Sequence, residues 1–342
     1  MSGGAGTRLW PTSTDERPKQ FHAFGDGGAM LQETALRVRS DGFLPPLVIC
    51  NLKHGALVRA QLDEIGITPQ DVLLEPFGRN TCAVAVMAAA WAERNAPGAE
   101  VLLMPADHVI ADDAAFRAKV EAALPAAADL IVTFGITPTG PETGYGYIQA
   151  GAPIFEGVYK VSRFVEKPSR AVAEAYLADG GYSWNGGIFL YRPSVLREEA
   201  GRLCPEVVEA SIAALEHGRR IPEGLQLDDE AFARCPSQPI DVAVMEKTAR
   251  AAVAPIEVGW ADIGSWSELW RLAAQDDRGN VHRGDTEHLD AEGSLLWSDG
   301  PSVSVIGLRD IMVIATADHV LVLPKDRAQD VKKIVEARKA RP

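Results

Sequence analysis

The chain has 342 residues, 46% hydrophobic and 24% charged, an ordinary globular composition with enough apolar side chains for a sizeable core. A formal net charge of -13 makes a nucleic-acid phosphate backbone a poor partner. The four cysteines are scattered without a Cys-x-x-Cys pair, and no apolar run or basic leader resembles a membrane span or signal peptide; neutral thiols in a cytoplasmic protein with no membrane partner are expected.

Length suggests one large domain and a smaller one. In chain order, Leu47–Cys50, Val101–Met104, Leu130–Phe134 and Ile188–Tyr191 read as short buried strands. Between them, Thr81–Arg94, Asp113–Leu124 and Ala171–Ala178 carry helical apolar spacing. Strands alternating with helices predict an α/β fold, a doubly wound and mostly parallel sheet covered on both faces. Chemistry in such a sheet belongs on loops directly after strands. The pattern changes after about Gln275. Short β-type runs follow at Leu295–Trp297, Val303–Ile306, Met312–Ala315 and Val320–Leu323, and a charged helix from Arg327 to Lys339 closes the chain. The domains are therefore expected at 1–275 and 276–342, the second a small β-rich module whose closely spaced strands permit a left-handed β-helical stack.

The chain begins Ser2-Gly3-Gly4-Ala5-Gly6-Thr7-Arg8-Leu9-Trp10-Pro11 after Met1, followed by Pro18-Lys19-Gln20-Phe21. Three glycines within four residues let backbone N–H groups close on an anion, and Arg8 and Lys19 add cations. No Gly-Lys-Ser/Thr follows, so this is not a Walker A loop, and the dinucleotide fingerprint spacing is also absent. The combination of this loop with Pro-Lys-Gln-Phe resembles the sugar-nucleotide pyrophosphorylases, specifically the mannose-1-phosphate guanylyltransferase (GDP-mannose pyrophosphorylase) branch. The resemblance continues in order along the chain. It takes in Glu75–Thr81 (Glu-Pro-Phe-Gly-Arg-Asn-Thr), Pro105–His108, Thr143–Ile148, Phe164–Pro168, Trp184–Phe189, Ile240–Lys247 and Trp260–Trp266.

Two departures stand out. Cys82-Ala83-Val84 replaces the family's Ala-Pro-Ala, and the chain opens almost inside the glycine loop, where relatives place a strand first. A central strand missing there would leave unpaired backbone groups on its neighbours, so an upstream start is expected. The chain ends after the terminal helix, and no isomerase activity is expected of it.

The resemblance implies transfer of GMP from GTP to mannose 1-phosphate, giving GDP-mannose and pyrophosphate. An attacking phosphate is already anionic, so the site must align two polyanions and relieve their repulsion rather than supply a base. Mg2+ takes few carboxylates plus water and phosphate oxygens, and Asp107 and Asp262 match the family's ligands. Read alone, Asp107 also suits a helix cap and Asp262 a turn. Nucleotide contacts are implied for Gly3, Gly4, Gly6, Thr7, Arg8, Lys19, Glu75, Asn80 and Asp107. The resemblance further implies that Arg8 and Lys19 neutralise the β- and γ-phosphates and that Lys167 holds the sugar phosphate; these three are the catalytic candidates. Gly144, Glu166 and Asn185 complete the sugar-phosphate site. Glu75 has the acceptors for guanine's two neighbouring donors, although it could equally cap a helix or pair with Arg79. His108 is given no catalytic role. A homodimer assisted by the C-terminal module is expected. The alternatives are a related nucleotidyltransferase with another base or sugar phosphate, and an inactive regulatory subunit.

Overall fold

A computed structural model describes residue 1, residues 6–25 and residues 27–340. Gly3 and Gly4 of the glycine motif lie outside the described residues. The strands up to the sugar-phosphate segments are β1 Leu47–Asn51, β2 Asp71–Glu75, β3 Val101–Leu103, β4 His108–Val109, β5 Ile131–Ile136, β6 Tyr147–Phe155, β7 Val158–Val165 and β8 Tyr182–Tyr191. They continue with β9 Arg219–Ile221, β10 Gly224–Gln226, β11 Ala251–Ile256, β12 Ala261–Asp262, β13 Val281–Arg283 and β14 Thr286–Leu289. The last are β15 Leu295–Ser298, β16 Val303–Ile306, β17 Ile311–Ala315 and β18 Val320–Pro324. Two compact units emerge. One comprises Met1, Thr34–Ala106 and Ile110–Trp260; the other has the described residues from Gly6 to Glu33, Asp107–Val109 and those from Ala261 onward.

The first unit is α/β. Its four-stranded sheet has the order β1-β2-β10-β9, and its six-stranded sheet the order β3-β8-β5-β11-β7-β6. The α/β class stands, with strand direction mixed rather than mostly parallel. β1, β2 and β10 are parallel, as are β5 and β11, but β8 runs antiparallel to β3 and β5, and β7 antiparallel to β11. β6 and β7 are joined only by Glu156-Gly157, and a parallel crossover needs about a dozen residues or more, so this pair is antiparallel by necessity. β1 and β3 are each terminal in their sheets. Beside β3, the Met1 ammonium donates to the Met104 carbonyl at 2.8 Å and the Ala106 N–H to the Met1 carbonyl at 2.9 Å.

The helix Asn80–Asn95 is buried from Cys82 to Ala92 without interruption. A helix apolar on every side must be covered on every side. The helices Pro193–Leu203 and Pro205–Glu216 lie against it, and its five alanines between Ala83 and Ala90 permit close approach. Sheet residues Ile49, Leu73, Leu103 and Phe189 belong to the same core.

The second unit contains the β-rich module. β13, β15 and β17 stack in parallel, Val281 opposite Leu295 and Leu295 opposite Met312, while β14 and β16 stack alongside. No helix intervenes between these strands, so the parallel neighbours are successive coils of one winding stack. β18 ends it antiparallel to β17. Leu9, Phe24, Trp266, Trp297, Met312, Ile314 and Leu321 form its core. The expected closing helix is a 3-10 segment, Lys325–Asp330, leading into an α-helix over Val331–Lys339.

Candidate active site

In the second unit, three motif residues meet at one point. β4 and β12 form a two-stranded antiparallel pair with Asp262 opposite His108, which brings Asp262 beside Asp107. Lys19, on the short 3-10 turn Lys19–Phe21, places its ammonium 2.6 Å from Asp262 Oδ1 and 3.1 Å from Asp107 Oδ2, and donates to the Ile263 carbonyl at 3.3 Å. Lys19 is only 7% exposed. Burial alone would lower its pKa, but the charges of Asp107 and Asp262 outweigh that and hold it above the ordinary lysine value. Burial likewise pushes the Asp262 carboxyl upward, and the charges of Lys19, His108 and Arg8 more than reverse it. The two carboxylates thus share one cation while keeping part of their surface open. Two acids converging in this way also suit a divalent ion with oxygen ligands.

The glycine loop shapes this cluster. Gly6 has φ +52°, and a Cβ there would lie 2.7 Å from Ser13 Oγ and 2.9 Å from Lys19 Cβ. A side chain would be strained and would push into Lys19. Thr7 and Arg8 follow on the 3-10 turn Thr7–Leu9; Arg8 is exposed, and its Nη1 donates to Gln329 Oε1 at 3.1 Å.

In the first unit, Glu75 ends the buried strand β2. Its side chain is buried, and Oε1 has no hydrogen-bond partner among the described residues. Burial pushes the carboxyl up to about 7, against a smaller opposing pull from the chain's amino terminus. The two simpler roles open to Glu75 are not adopted: Arg79 donates to the Phe232 and Ala233 carbonyls, and the helix that starts at Asn80 has no side-chain cap. Asn80 sits at φ +67° and accepts the Thr81 N–H at 3.0 Å, which sets the loop-to-helix turn.

The sugar-phosphate candidates also gather in this unit. Lys167, at φ +46°, pairs with Glu166 at 2.9 Å while its side chain remains 61% exposed. A left-handed conformation at a non-glycine residue is strained, a feature concentrated at functional positions. Asn185 is buried; its Oδ1 accepts from Thr133 Oγ1 at 2.8 Å and the Gly187 N–H at 3.2 Å, and its amide donates to Asp241 Oδ1 at 2.7 Å. One amide hydrogen of Asn185 is left over from these bonds. At Gly146 a Cβ would lie 2.8 Å from Glu166 Oε2 and 3.3 Å from Asn185 Cβ, whereas a Cβ on Gly144 would meet open space.

Three further residues belong to this network although the sequence reading gave them no role. Asp241 is pushed up to about 7 by burial first and by the Glu166 charge second. Glu246 accepts the Glu166 N–H at 2.9 Å, and Thr133 anchors Asn185. Asp241 and Glu246 lie within the recognised segment Ile240–Lys247, so the signal was present without a partner to interpret it.

Residues 1–279 match the nucleotidyl transferase family. The chain belongs to that family. Residues 284–337 of this transferase match a second family, described as a mannose-phosphate isomerase/GMP-like β-helix domain, in agreement with the coiled stack of β13–β18. The transferase is 46% identical over 336 residues to the xanthan biosynthesis protein XanB of Xanthomonas campestris, covering 98% of this chain and 71% of that one. It is 42% identical over 348 residues to a mannose-1-phosphate guanylyltransferase of Escherichia coli, covering 99% and 73%. Among solved structures, one from Thermus thermophilus described as a mannose-1-phosphate geranyltransferase superposes with a TM-score of 0.87 at 36% identity, covering 99% and 98%. The transferase is therefore an enzyme of the nucleotidyltransferase class with an α/β catalytic fold and a β-helical C-terminal module. No helix among its described residues is long and apolar enough to cross a membrane.

Proposed function

We propose that this transferase moves GMP from GTP to mannose 1-phosphate, releasing pyrophosphate and forming GDP-mannose. The observation that carries the reading is the sharing of one cation by Asp107 and Asp262, acids far apart in sequence and each within a segment of the family pattern. Mg2+ held by Asp107 and Asp262 would screen the triphosphate and stabilise charge on the departing pyrophosphate. Arg8, exposed beside this cluster, and Lys19 supply the cations for the β- and γ-phosphates. Gly6 and Thr7, together with Gly3 and Gly4, offer backbone N–H groups to the same anions.

Glu75 supports the choice of base. Its buried, unpartnered oxygen at the end of a strand is an acceptor awaiting a donor, and guanine presents two neighbouring donors on its Watson–Crick edge. Asn80 forms the loop next to it. For the second substrate, Lys167, whose side chain is largely exposed, holds the sugar phosphate, and Glu166 and Asn185 bond the hydroxyls; the pairing of Lys167 with Glu166 supports this reading. Gly144 and Gly146 leave room for the ring. The attacking phosphate oxygen needs no proton removed, so alignment and charge neutralisation are the work of these residues.

A homodimer in the cytoplasm completes the proposal. Leu289 and Ile306 are partners across β14 and β16, yet they are 60% and 70% exposed, an apolar pair suited to burial against a second copy. A monomeric mass at micromolar concentration would remove the dimer.

The test of the reaction is pyrophosphate release with each of GTP, ATP, UTP and dTTP, plus mannose 1-phosphate and Mg2+. Release requiring GTP, the sugar phosphate and Mg2+, with a fall of about 100-fold or more in Asp262→Ala, is expected. Equal or faster release with another nucleotide would overturn the base assignment.

A further inference from the structure

Away from these residues, Asp276, His282 and His288 bring three potential ligand atoms within 4.8 Å of one another. His282 lies on β13 and His288 on β14, while Asp276 opens the turn that leads into the module. Their Nε2 atoms are 3.5 Å and 3.3 Å from the same oxygen, Asp276 Oδ2. The imidazoles stack with centroids 5.1 Å apart and planes inclined by 22°.

Hydrogen bonding to Asp276 can engage a ring, but it does not account for both imidazoles converging on one oxygen at these separations. Charge-assisted N–H···O bonds favour about 2.7–2.9 Å, and both separations exceed that range. If both rings were protonated, two stacked cations would face each other. If both were neutral with bare Nε2 atoms, three lone-pair donors would converge with no proton between them. A small cation resolves the conflict. Ligands on a tetrahedral zinc ion, at about 2.0–2.1 Å from the metal, are separated from each other by about 3.3 Å, close to the two observed nitrogen–oxygen distances.

The surroundings hold the ligands in place. Thr286 Oγ1 lies 3.2 Å from His282 Nδ1; with the proton on Nδ1, the Nε2 lone pair faces the cluster. Asp276 Oδ1 accepts the Arg278 N–H at 2.9 Å and the Asn280 N–H at 2.7 Å, and Oδ2 accepts the Asn280 amide at 3.0 Å. These bonds fix the carboxylate with Oδ2 turned toward both imidazoles. The three side chains remain 20–33% exposed, so an ion can enter and water can fill a fourth position.

We infer that Asp276, His282 and His288 form a binding site for a zinc-class divalent transition metal, separate from Asp107 and Asp262, that ties the entry turn to the first strands of the β-helical stack. Two imidazoles and one carboxylate favour zinc or cobalt, whereas Mg2+ prefers oxygen ligands. Excess Mg2+ in an assay therefore leaves the site available.

The experiment titrates the full-length protein with Co2+ in excess Mg2+, following visible d–d absorption, then adds Zn2+ and records thermal unfolding. One equivalent of Co2+, displaced by Zn2+ and lacking thiolate charge-transfer absorption, is expected, with a rise of several degrees in Tm on Zn2+ addition. His282→Asn combined with His288→Asn removes the absorption and the Tm response. Asp276→Asn, which keeps the turn's acceptor oxygen, weakens Co2+ binding by tenfold or more. Absence of stoichiometric Co2+ binding to the parent protein, or undiminished binding in the folded double variant, overturns the inference.

Discussion

Glu75→Gln isolates one buried ionisation. The parent carboxyl titrates at about 7 in the folded chain against an ordinary value of 4.5. The native state therefore holds this proton more tightly than the unfolded chain does. Its contribution to stability is fully present below 4.5 and is lost as pH rises through 7. The difference between the two values corresponds to about 3 kcal/mol. Glutamine is a neutral isostere, and the other titrating groups act in both proteins, so the difference between parent and variant reports Glu75 alone. Urea unfolding at pH 5 and pH 8 should show the variant gaining stability relative to the parent at the higher pH, by about 2–3 kcal/mol. The same ionisation should govern nucleotide binding. If guanine donates to the carboxylate, parent affinity for GTP rises as pH passes upward through 7, and the variant loses that dependence. Parallel stability curves for the two proteins between pH 5 and pH 8 would refute the reasoning.

Lys19→Met leaves Asp107 and Asp262 facing each other without their shared cation. Unfolding should cost about 3–5 kcal/mol less at pH 7, as measured by urea titration. The Asp262 carboxyl is held low by Lys19 in the parent, so much of this deficit should vanish at acid pH, where Asp262 is protonated in the variant but not in the parent. Lys167→Gln should behave differently: with its side chain 61% exposed, Tm should stay within a degree or two, while KM for mannose 1-phosphate rises about tenfold or more in steady-state assays.

The run of short strands after about 275 and the helices at Asn80–Asn95, Asp113–Ala127, Arg170–Asp179 and Val331–Lys339 were legible in local patterns, whereas helices such as Gly55–Glu64, Pro193–Leu203 and Pro205–Glu216 were not read. The stretch from Cys82 to Ala92 was legible as a helix from its apolar spacing, but its burial on every side was not, because that depends on the helices packed against it. Strand direction was harder, because β8 enters between β3 and β5 by long-range pairing that no local periodicity records. The meeting of Asp107 and Asp262 depends on a pairing only two residues long in each strand, too short to announce itself, and only the family pattern suggested that they belong together. Asp241 shows the opposite case: its segment was recognised, but a lone acid on a helical turn gives no sign that it will be buried against Asn185 and Glu166.

β18 gives the coiled module a definite length. A parallel stack is quasi-one-dimensional and could in principle accept another turn of chain at its end. β18 reverses direction, leaves Val320, Val322 and Pro324 on its outer side and ends in a proline without an N–H, so the next parallel coil has no matching template. Growth or shrinkage of the module by whole coils is thereby directed to the interior of the stack, where an added turn meets the same neighbours above and below. The terminal strand acts as a full stop that leaves the sentence before it open to revision.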